Sequence, residues 1–362
     1  MQFIDLKKQY ASIKEDVLNE ISQVLDSGNF ILGSKVKELE SELVNYTLSQ
    51  HCIGVADGTK ALLIALMALD VQAGDEVIVP AFTFIATASM ARLLGAIPVF
   101  VDVDPDSYNL DANKLENAIT NKTKAIIPVG MFGQCADMDA INTIANKYNV
   151  AVIEDGAQSF GATYKGKRSG NLSTIGCTSF FPSKPVGCYG DGGACFTNDD
   201  KLAEAMRQIR IHGQNGRYHH ARLGLNGRLD TLQAAVLLAK LRIFDREVQS
   251  RELIGARYSE LLKNTNCVTP KIMQGNTHVY AQYTLLVNNR DEFVNKLKAQ
   301  NIPTYIHYPI PLHMQPILKD FYKGQDLSVS ERLAKQVVSL PMHPYLDEKT
   351  QDEVVSVVKG AL

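Results

Sequence analysis

Between about residues 52 and 200, short apolar runs alternate with segments of helical periodicity. The runs cover residues 52–56, 76–80, 98–102, 125–128 and 151–155, and two more lie near residues 177–181 and 194–197. Continuous runs rich in β-branched residues, separated by helices, are typical of a mostly parallel sheet that helices cover on both faces. The pattern therefore predicts an α/β domain with a seven-stranded sheet, and such sheets bind ligands beyond the carboxyl ends of their strands.

Helical periodicity flanks this region on both sides. Ile13, Val17, Ile21, Val24 and Leu25 predict an amphipathic helix, and a longer helical pattern extends from residue 230 to about residue 262. The tail predicts a strand over residues 280–287, a helix over 291–300, a second strand over 303–307 and a closing helix over 348–362. We therefore expect a large α/β domain over residues 1–240, which includes the N-terminal helix, and a smaller α+β domain over residues 241–362.

Composition narrows the class of protein. The chain has 362 residues, of which 45% are hydrophobic, so it can bury cores of domain size and is not a disordered chain. Its 37 basic and 39 acidic residues nearly cancel, which leaves no positive excess for binding nucleic acid or a membrane surface. The first residues lack the apolar core of a signal peptide, and the longest apolar run, residues 61–69, is about half of a membrane span. Together with six cysteines that form no C-x-x-C pair, this predicts a cytoplasmic protein with reduced thiols.

Asp57-Gly58-Thr59 follows the first apolar run and directly precedes a strongly helical segment. A small, hydroxyl-bearing turn at the start of a helix offers free backbone N–H groups and the positive end of the helix dipole. These are the features of a phosphate site, although an ordinary helix cap would account for the same three residues.

A pair of acids, Glu154 and Asp155, ends the fifth run. A carboxylate at the end of a buried strand is costly unless it meets a cation or a strong hydrogen-bond donor. Metal ligation, an ion pair and protonation of a heterocyclic nitrogen all satisfy that condition, and a solvated loop acid is the alternative.

Lys184 stands between Pro182 and Pro185, after an apolar strand and before the glycine-rich stretch 187–193. A lone lysine is ordinarily a solvated surface charge. Rigid backbone around this lysine, with glycines that permit close approach, instead suits a side chain that is held in place and partly desolvated. That is the setting of Schiff-base chemistry.

Three other candidate motifs are rejected. Residues 161–168 nearly match the P-loop pattern, but Arg168 replaces the hydroxyl that would bind magnesium, so we interpret residues 165–167 as a β-turn. The three histidines between residues 212 and 220 lack a carboxylate or cysteine that would complete a metal site, so we expect no metal. The chain also lacks the glycine fingerprint of dinucleotide-binding folds after its first strand.

The phosphate-type helix start, the strand-end acid and the constrained lysine match, in this order, the needs of pyridoxal phosphate. The cofactor phosphate needs backbone donors and hydroxyls, the pyridine nitrogen needs an acid that keeps it protonated, and the aldehyde needs a lysine amine. The sequence therefore predicts a site for this cofactor at the carboxyl end of the sheet.

With these residues in place, the chain resembles the pyridoxal-phosphate-dependent nucleotide-sugar aminotransferases of the DegT/StrS family. The resemblance runs from Phe3-Ile4-Asp5-Leu6 to Ser339-Leu340-Pro341-Met342-His343-Pro344. It implies the aspartate aminotransferase fold, which is fold type I of the enzymes that use this cofactor. It also implies a homodimer whose active site is shared between the subunits.

Four matched residues are implied to bind the cofactor phosphate. Gly58 and Thr59 resemble the turn that holds this group, and Ser179 resembles a second phosphate ligand. Asn226, in the segment Gly224-Leu225-Asn226-Gly227-Arg228, resembles the residue that reaches the phosphate from the neighbouring subunit.

Four more are implied to contact the cofactor ring. Phe84 resembles the aromatic residue that stacks on the pyridine ring, and Gln158 resembles the donor to the ring hydroxyl. Asp155 resembles the partner of the pyridine nitrogen, and Lys184 the Schiff-base lysine. Gly156 departs from the family pattern, in which alanine or cysteine is more usual, and we expect the change to alter local packing rather than the chemistry.

Within the family, the chain most resembles the branch that aminates C3 of UDP-2-acetamido-2-deoxy-3-oxo-D-glucuronate, a sugar of bacterial surface polysaccharides such as O-antigen. This resemblance is carried by residues 180–185, 226–235 and 306–312. A uronate carboxylate suits an arginine fork, so Arg228 is the candidate for it, and we expect His307 and Tyr308 to line the sugar site. The alternatives are an aminotransferase for a dTDP-3-oxo or UDP-4-oxo-6-deoxy sugar and a non-catalytic member that binds a nucleotide sugar.

The implied reaction is a ping-pong transamination. L-Glutamate gives up its amino group and leaves as 2-oxoglutarate, pyridoxamine phosphate carries the amino group, and the reverse steps aminate the keto-sugar. Lys184 is implied to act as the general acid–base, while Asp155 keeps the ring nitrogen protonated. Some relatives have histidine at the lysine position and act as dehydratases, so the lysine found here favours transamination.

Overall fold

In the computed structural model, which describes residues 1–362, the chain forms thirteen strands and twelve α-helices. The strands are β1 (His51–Val55), β2 (Glu76–Pro80), β3 (Ile97–Val101), β4 (Thr123–Ile126), β5 (Ala151–Asp155), β6 (Thr163–Tyr164), β7 (Lys167–Arg168), β8 (Ile175–Ser179), β9 (Gly193–Thr197), β10 (Gln214–Gly216), β11 (His219–His220), β12 (Tyr283–Leu286) and β13 (Val337–Leu340). The helices are α1 (Leu6–Ser12), α2 (Lys14–Ser27), α3 (Ser34–Thr47), α4 (Gly58–Ala68), α5 (Ala86–Leu93), α6 (Ala112–Leu115), α7 (Met138–Lys147), α8 (Asp200–Ile209), α9 (Thr231–Leu261), α10 (Arg290–Ala299), α11 (Ser328–Gln336) and α12 (Glu348–Ala361). None of these helices has the length and apolar character needed to cross a bilayer.

Seven of the strands form the central sheet, in the order β1-β9-β8-β5-β4-β2-β3. The strands β3, β2, β4, β5 and β8 pair in parallel, while β9 lies antiparallel between β1 and β8. The prediction of a mostly parallel seven-stranded sheet is therefore confirmed. Because β9 runs against its neighbours, its first residue, Gly193, lies beside the last residues of both, Val55 and Ser179. This register brings three separate chain segments together at the carboxyl ends of β1 and β8.

Alternate strand residues point into two hydrophobic cores, one on each face of the sheet. Cys52, Ile78 and Val152 belong to a cluster of 32 buried residues that includes the inner faces of α3, α7 and α9. Ile53 and Val77, the neighbours of two of these residues, belong instead to a cluster of 29 that includes α4, α5 and α8. Burial on both faces is the reason that these strands are continuously apolar in sequence.

The chain after α9 forms a smaller layer, in which β12 and β13 pair antiparallel and pack against α10 and α12. The predicted helices at residues 291–300 and 348–362 are confirmed as α10 and α12. The prediction of a second strand at residues 303–307 is wrong, because this segment is irregular and makes a single bridge, between Tyr305 and Ser339. Pro303 has no N–H for a strand ladder, and the partner of β12 is the fully buried β13.

The helix α9 is 31 residues long and continues across residue 240, the predicted boundary between the domains. In its first half, Ala234 and Leu237 pack into the core that covers the sheet. Near its end, Tyr258 packs into the separate core of the smaller layer. The helix thus connects the two parts of the chain, and the division into residues 1–240 and 241–362 stays a prediction.

Candidate active site

The turn between β1 and α4 leaves backbone donors unused. Asp57 caps α4 by accepting a hydrogen bond from the Lys60 N–H at 2.7 Å, whereas the N–H groups of Gly58 and Thr59 have no acceptor within the chain. Ser179 lies against this turn, so closely that a Cβ on Gly58 would come within 2.6 Å of the Ser179 Cβ. Free N–H groups at a helix start, beside a serine hydroxyl, can hold a phosphate group.

Asp155 ends β5 and is buried, with 8% of its surface exposed. Its carboxylate accepts hydrogen bonds from the Ala157 N–H at 3.2 Å and from the Thr87 hydroxyl at 3.3 Å. Burial raises the pKa of this carboxyl, while the Ala157 N–H and the charge of Lys184 act in the opposite direction. Nothing in the sequence singles out Thr87 as a partner of this acid. The hydroxyl of Thr83 lies 3.4 Å from the hydroxyl of Thr87.

Glu154 points to the other side of β5, as the alternation of a strand requires. It accepts hydrogen bonds from the Ser169 hydroxyl at 2.7 Å and from the N–H groups of Gly170 and Leu172 at 3.0 and 3.3 Å. Burial raises its pKa to about 6, although these three donors act to lower it. Glu154 therefore anchors the turn that precedes β8, whereas Asp155 is the member of the acid pair whose charge acts on Lys184.

Lys184 lies in a turn that follows β8, where its N–H donates to the Phe181 carbonyl at 2.9 Å. Burial lowers the pKa of the Lys184 amine, and the negative charge of Asp155 acts to raise it. The amine and the carboxylate are thus close enough to influence each other's protonation. An amine whose pKa is lowered gives up its proton more readily than an ordinary lysine, and the neutral form can attack an aldehyde or accept a proton.

Tyr308, which the sequence places in the sugar site, also contacts two of the predicted cofactor ligands. Its ring centroid lies 5.8 Å from that of Phe84, and its hydroxyl accepts a hydrogen bond from the Gln158 Nε2 at 3.4 Å. The Gln158 Oε1 accepts from the Phe132 N–H at 2.8 Å, which fixes the orientation of the amide. Burial and the charge of Asp155 raise the pKa of Tyr308, so the phenol is protonated and can donate a hydrogen bond.

His307 lies close to the lysine. Burial lowers its pKa to about 4, and the positive charge of Lys184 contributes to the same shift. Its Nδ1 lies 3.4 Å from the Ser339 hydroxyl, and its ring stacks on Tyr305 with a centroid distance of 6.0 Å. The imidazole is therefore neutral at pH 7, so it can exchange hydrogen bonds with a sugar but cannot form an ion pair with a carboxylate.

Asn226 and Arg228 lie on an extended segment beside the end of β1. Arg228 forms an antiparallel bridge with Val55, and the Gly227 carbonyl accepts a hydrogen bond from the Ala56 N–H at 2.9 Å. Asn226 is exposed, and the Arg228 Nε is buried without a hydrogen-bond partner. Neither side chain makes a hydrogen bond to another predicted site residue of this chain.

The remaining sequence motifs form other structures. Residues 161–168 include the β6–β7 hairpin, with Lys165 and Gly166 at its turn, so the predicted β-turn is confirmed. No group of three metal-binding side chains comes together, and two of the three histidines lie on β11. A cavity of about 610 Å³, whose lining includes Asp104, Asp111 and Asp137, contains none of the predicted site residues, and its carboxylates would repel a phosphate.

The model of the DegT/DnrJ/EryC1/StrS aminotransferase family matches residues 11–359. The chain belongs to this family. It is 58% identical over 347 residues to the UDP-2-acetamido-2-deoxy-3-oxo-D-glucuronate aminotransferase of Pseudomonas aeruginosa, with 96% of each chain covered. It is 46% identical over 359 residues to the pleiotropic regulatory protein of Geobacillus stearothermophilus, with 98% of this chain and 96% of that protein covered.

Solved structures agree with the fold that the family implies. A DegT/DnrJ/EryC1/StrS aminotransferase from Brucella abortus superposes with a TM-score of 0.97 at 45% identity, covering 99% of both chains. NtdA from Bacillus subtilis, whose crystal structure has the cofactor PMP bound, superposes with a TM-score of 0.91 at 33% identity, covering 99% of this chain and 83% of that one. The predicted aspartate aminotransferase fold is confirmed, and this DegT/StrS protein is a pyridoxal-phosphate-dependent transaminase.

The residues at the strand ends fit that cofactor. The Gly58 turn offers unpaired N–H groups with no Cβ in the way, which suits a phosphate. Phe84 is 50% exposed although it is large and apolar, and its open face suits a pyridine ring. Asp155 is a buried acid, which suits the ring nitrogen, and Lys184 is an amine of lowered pKa, which suits the aldehyde. Each part of the cofactor therefore has a matching group in this chain.

Proposed function

We propose that this DegT/StrS aminotransferase moves the amino group of L-glutamate to C3 of UDP-2-acetamido-2-deoxy-3-oxo-D-glucuronate. The observation that carries the proposal is that the charge of the buried Asp155 acts on Lys184, an amine of lowered pKa, in a chain 58% identical to an enzyme of that name. The product would serve the synthesis of a bacterial surface polysaccharide such as O-antigen, and the enzyme would act in the cytoplasm.

Gly58, Thr59 and Ser179 would hold the cofactor phosphate. The two N–H groups of the turn are unpaired in this chain, and the serine hydroxyl lies beside them. Phe84 would cover one face of the ring, because its side chain is exposed at the site. The Gln158 Nε2 makes one long hydrogen bond and so can donate to the ring hydroxyl.

The bound cofactor supplies an electron sink for the carbanion that forms on the glutamate α-carbon or on the sugar carbon. Asp155 would hold a proton on the ring nitrogen, since a buried carboxylate with two long hydrogen bonds gains from a cationic partner. Lys184 would act as the general acid–base that removes and returns the proton at the substrate carbon, a role that suits an amine of lowered pKa. The burial of Asp155 and the half-buried position of Lys184 would limit the access of bulk water to this proton transfer.

Arg228 would bind the uronate carboxylate. Its Nε is buried and has no partner, so a bidentate carboxylate would satisfy a donor that is otherwise unpaired. Neutral His307 would exchange a hydrogen bond with a sugar hydroxyl beside Lys184. Tyr308 contacts Phe84 and Gln158, so we place it at the border between the cofactor and the sugar.

The site would be completed by a second copy of the chain. Asn226 is exposed and would reach the phosphate of the neighbouring subunit. Exposed apolar side chains of Phe30, Ile31 and Leu223 support a partner surface, with exposed fractions of 45%, 53% and 86%. The active enzyme would therefore be a homodimer that shares its active sites.

The test is to supply the purified enzyme with glutamate and two kinds of sugar, the 3-oxo uronate and a 4-oxo-6-deoxy sugar, each linked to UDP. We expect one amino product, which mass spectrometry and NMR identify as the 3-amino uronate. Amination of the 4-oxo-6-deoxy sugar alone would overturn the proposed substrate while leaving the transaminase assignment intact.

The alternative of a non-catalytic role is the weaker interpretation, although one relative at 46% identity is named a pleiotropic regulatory protein. The complete set of Lys184, Asp155 and Gln158 argues against it, since a protein that only binds a sugar needs neither a desolvated lysine nor a buried acid. Single-turnover formation of an amino sugar would exclude this role.

A further inference from the structure

Lys240 lies buried in the first half of α9, beneath the chain segment that follows Lys184. Only 1% of its surface is exposed, and its ammonium donates a hydrogen bond to the carbonyl of Gly187. The Nζ also lies 4.3 Å from the ring centroid of Tyr189, at the distance of a cation–π contact. Lysine is almost never fully buried in proteins without a specific partner, so this arrangement requires an explanation.

Gly187 belongs to a closed turn that carries Lys184. A Cβ on Gly187 would come within 2.5 Å of the Phe181 carbonyl oxygen and 2.6 Å of the Pro182 carbonyl oxygen. The Lys184 N–H donates to the same Phe181 carbonyl at 2.9 Å. The two ends of the turn are therefore in contact, and a movement of Gly187 would displace the backbone of Lys184.

A second side chain of α9 contacts the same segment. The Gln233 Oε1 accepts a hydrogen bond from the Tyr189 N–H at 2.9 Å. Gln233, Lys240 and Glu247 are spaced seven residues apart, so they lie along one face of the helix. Glu247 is held in turn by the Gln9 amide at 2.9 Å and by the Tyr345 hydroxyl at 2.7 Å.

Burial lowers the pKa of Lys240 to about 8, and the charge of Glu247 acts to raise it. The cation is thus kept at a considerable desolvation cost, although it contacts neither the aldehyde site nor Asp155. Its direct contacts are the Gly187 carbonyl and the Tyr189 ring, both in the segment that follows Lys184.

We propose that Lys240 is a positioning residue for catalysis, whose ammonium fixes the Gly187 carbonyl and thereby holds Lys184 at the end of the sheet facing Asp155. This inference rests on the proposed role of Lys184 as the amine that binds the cofactor. It assigns a function in the reaction to a residue that touches neither cofactor nor substrate.

The test compares Lys240→Met, which keeps the volume but removes the charge, with Lys263→Met, the same change at a position whose side chain is 65% exposed. The rate at which apoprotein couples pyridoxal phosphate to Lys184 is followed by visible absorbance, and kcat and KM for glutamate are measured on the holoenzymes. We expect Lys240→Met to lower both the coupling rate and kcat at least tenfold, with KM within twofold and an unchanged circular dichroism spectrum. Coupling and kcat within twofold of the Lys263→Met values would overturn the proposal, and so would a loss of kcat that only follows a loss of folded protein.

If Lys240→Met does not fold, Gln233→Ala serves as the second variant. Gln233 is half-buried, and its bond from the Tyr189 N–H is the other contact between α9 and the segment that follows Lys184. We expect a decrease of at least threefold in the coupling rate, and an unchanged rate would contradict the proposal. The coupling rate does not depend on the sugar. A wild-type protein that couples the cofactor normally but aminates no keto-sugar would therefore overturn the proposed function without affecting this test.

Discussion

Gly58 follows β1 and Ser179 ends β8, so the two residues are far apart along the chain, and the structure brings them into contact. A Cβ on Gly58 would lie 2.6 Å from the Ser179 Cβ and 3.1 Å from the Ser179 Oγ. The contact exists because β9 runs antiparallel between β1 and β8, so the ends of those two strands face a common neighbour, Gly193. The two proposed phosphate ligands are therefore positioned by sheet topology, and the absence of a side chain on Gly58 is what allows them to be close.

Replacement of Gly58 by alanine should weaken cofactor binding. The new methyl group would push the turn away from Ser179, and we expect the Kd for pyridoxal phosphate to rise at least about tenfold, roughly the value of one lost charge-assisted hydrogen bond. Equilibrium titration followed by absorbance measures this change. Gly360→Ala is the matched control, since a Cβ there meets no atom within 4 Å and the residue lies in helix α12. Equal Kd values for the two variants would contradict the phosphate assignment.

Removal of the Lys184 amine should abolish transamination and leave the fold unchanged. Lys184→Ala should show no visible band of lysine-bound cofactor, whereas Lys167→Ala, a change at an exposed residue of the β6–β7 hairpin, should retain it.

If the active site is shared, equal amounts of Lys184→Ala and Asn226→Ala chains, allowed to exchange subunits, should regain about one quarter of the wild-type activity, because each mixed dimer has one intact site. No recovery, in a mixture shown to contain mixed dimers, would argue against Asn226 acting across the interface.

Asp155 and Glu154 should respond differently to the same chemical change. Asp155→Asn removes the charge proposed for the ring nitrogen, and we expect kcat to fall by about a hundredfold or more while stability changes little. Glu154→Gln weakens the bonds to Ser169 and Gly170, and we expect a loss of about 1–3 kcal/mol in the free energy of unfolding with kcat nearly unchanged. Kinetics and urea unfolding of both variants distinguish the two roles, and the reverse pattern would show that they have been exchanged.

Arg228 should determine preference for a carboxylate-bearing sugar. Arg228→Lys keeps the positive charge but loses the planar fork, so we expect kcat/KM for the 3-oxo uronate to fall at least about tenfold. The corresponding neutral 3-oxo sugar, which has no carboxylate, should be affected by less than about threefold in the same assay. A similar decrease for both sugars would mean that Arg228 does not contact the uronate group.

Buried histidines should make the protein less stable in acid. Burial lowers the pKa of His278 from 6.5 to about 3, so the folded state favours the neutral ring, whose Nδ1 accepts from the Tyr280 N–H at 2.9 Å. Its contribution to stability is complete above the unfolded pKa of 6.5 and is lost as the pH falls towards 3, by about 1.4 kcal/mol per pH unit. His278→Asn keeps an acceptor at the Nδ1 position and does not titrate, so urea unfolding at pH 7 and pH 5 should show a smaller decrease than in the wild type. An equal decrease would place the acid sensitivity elsewhere, for example at His343, whose pKa burial lowers to about 4.

Much of the fold could be predicted from the chain because local pattern and burial agree along the sheet. The seven runs became strands β1 to β5, β8 and β9, since residues buried on both faces are apolar without interruption. Residues 303–307 show where such reasoning fails. Thr304, Tyr305 and Ile306 are residue types that favour strands, yet the segment makes only one bridge, to Ser339, and β12 pairs with β13 instead.

The sequence by itself determined the order of the chemical groups: a helix-start turn, a strand-end acid and a constrained lysine. These signals are local, because each depends on a few neighbouring residues and on the strand or helix that they interrupt. Only the tertiary structure decided which groups meet. The register of β9 sets Gly58 against Ser179, the alternation of β5 separates Asp155 from Glu154, and α9 brings Lys240 beneath a turn more than fifty residues earlier in the chain. Such contacts join residues far apart in sequence, so their energies depend on packing geometry that no local pattern encodes.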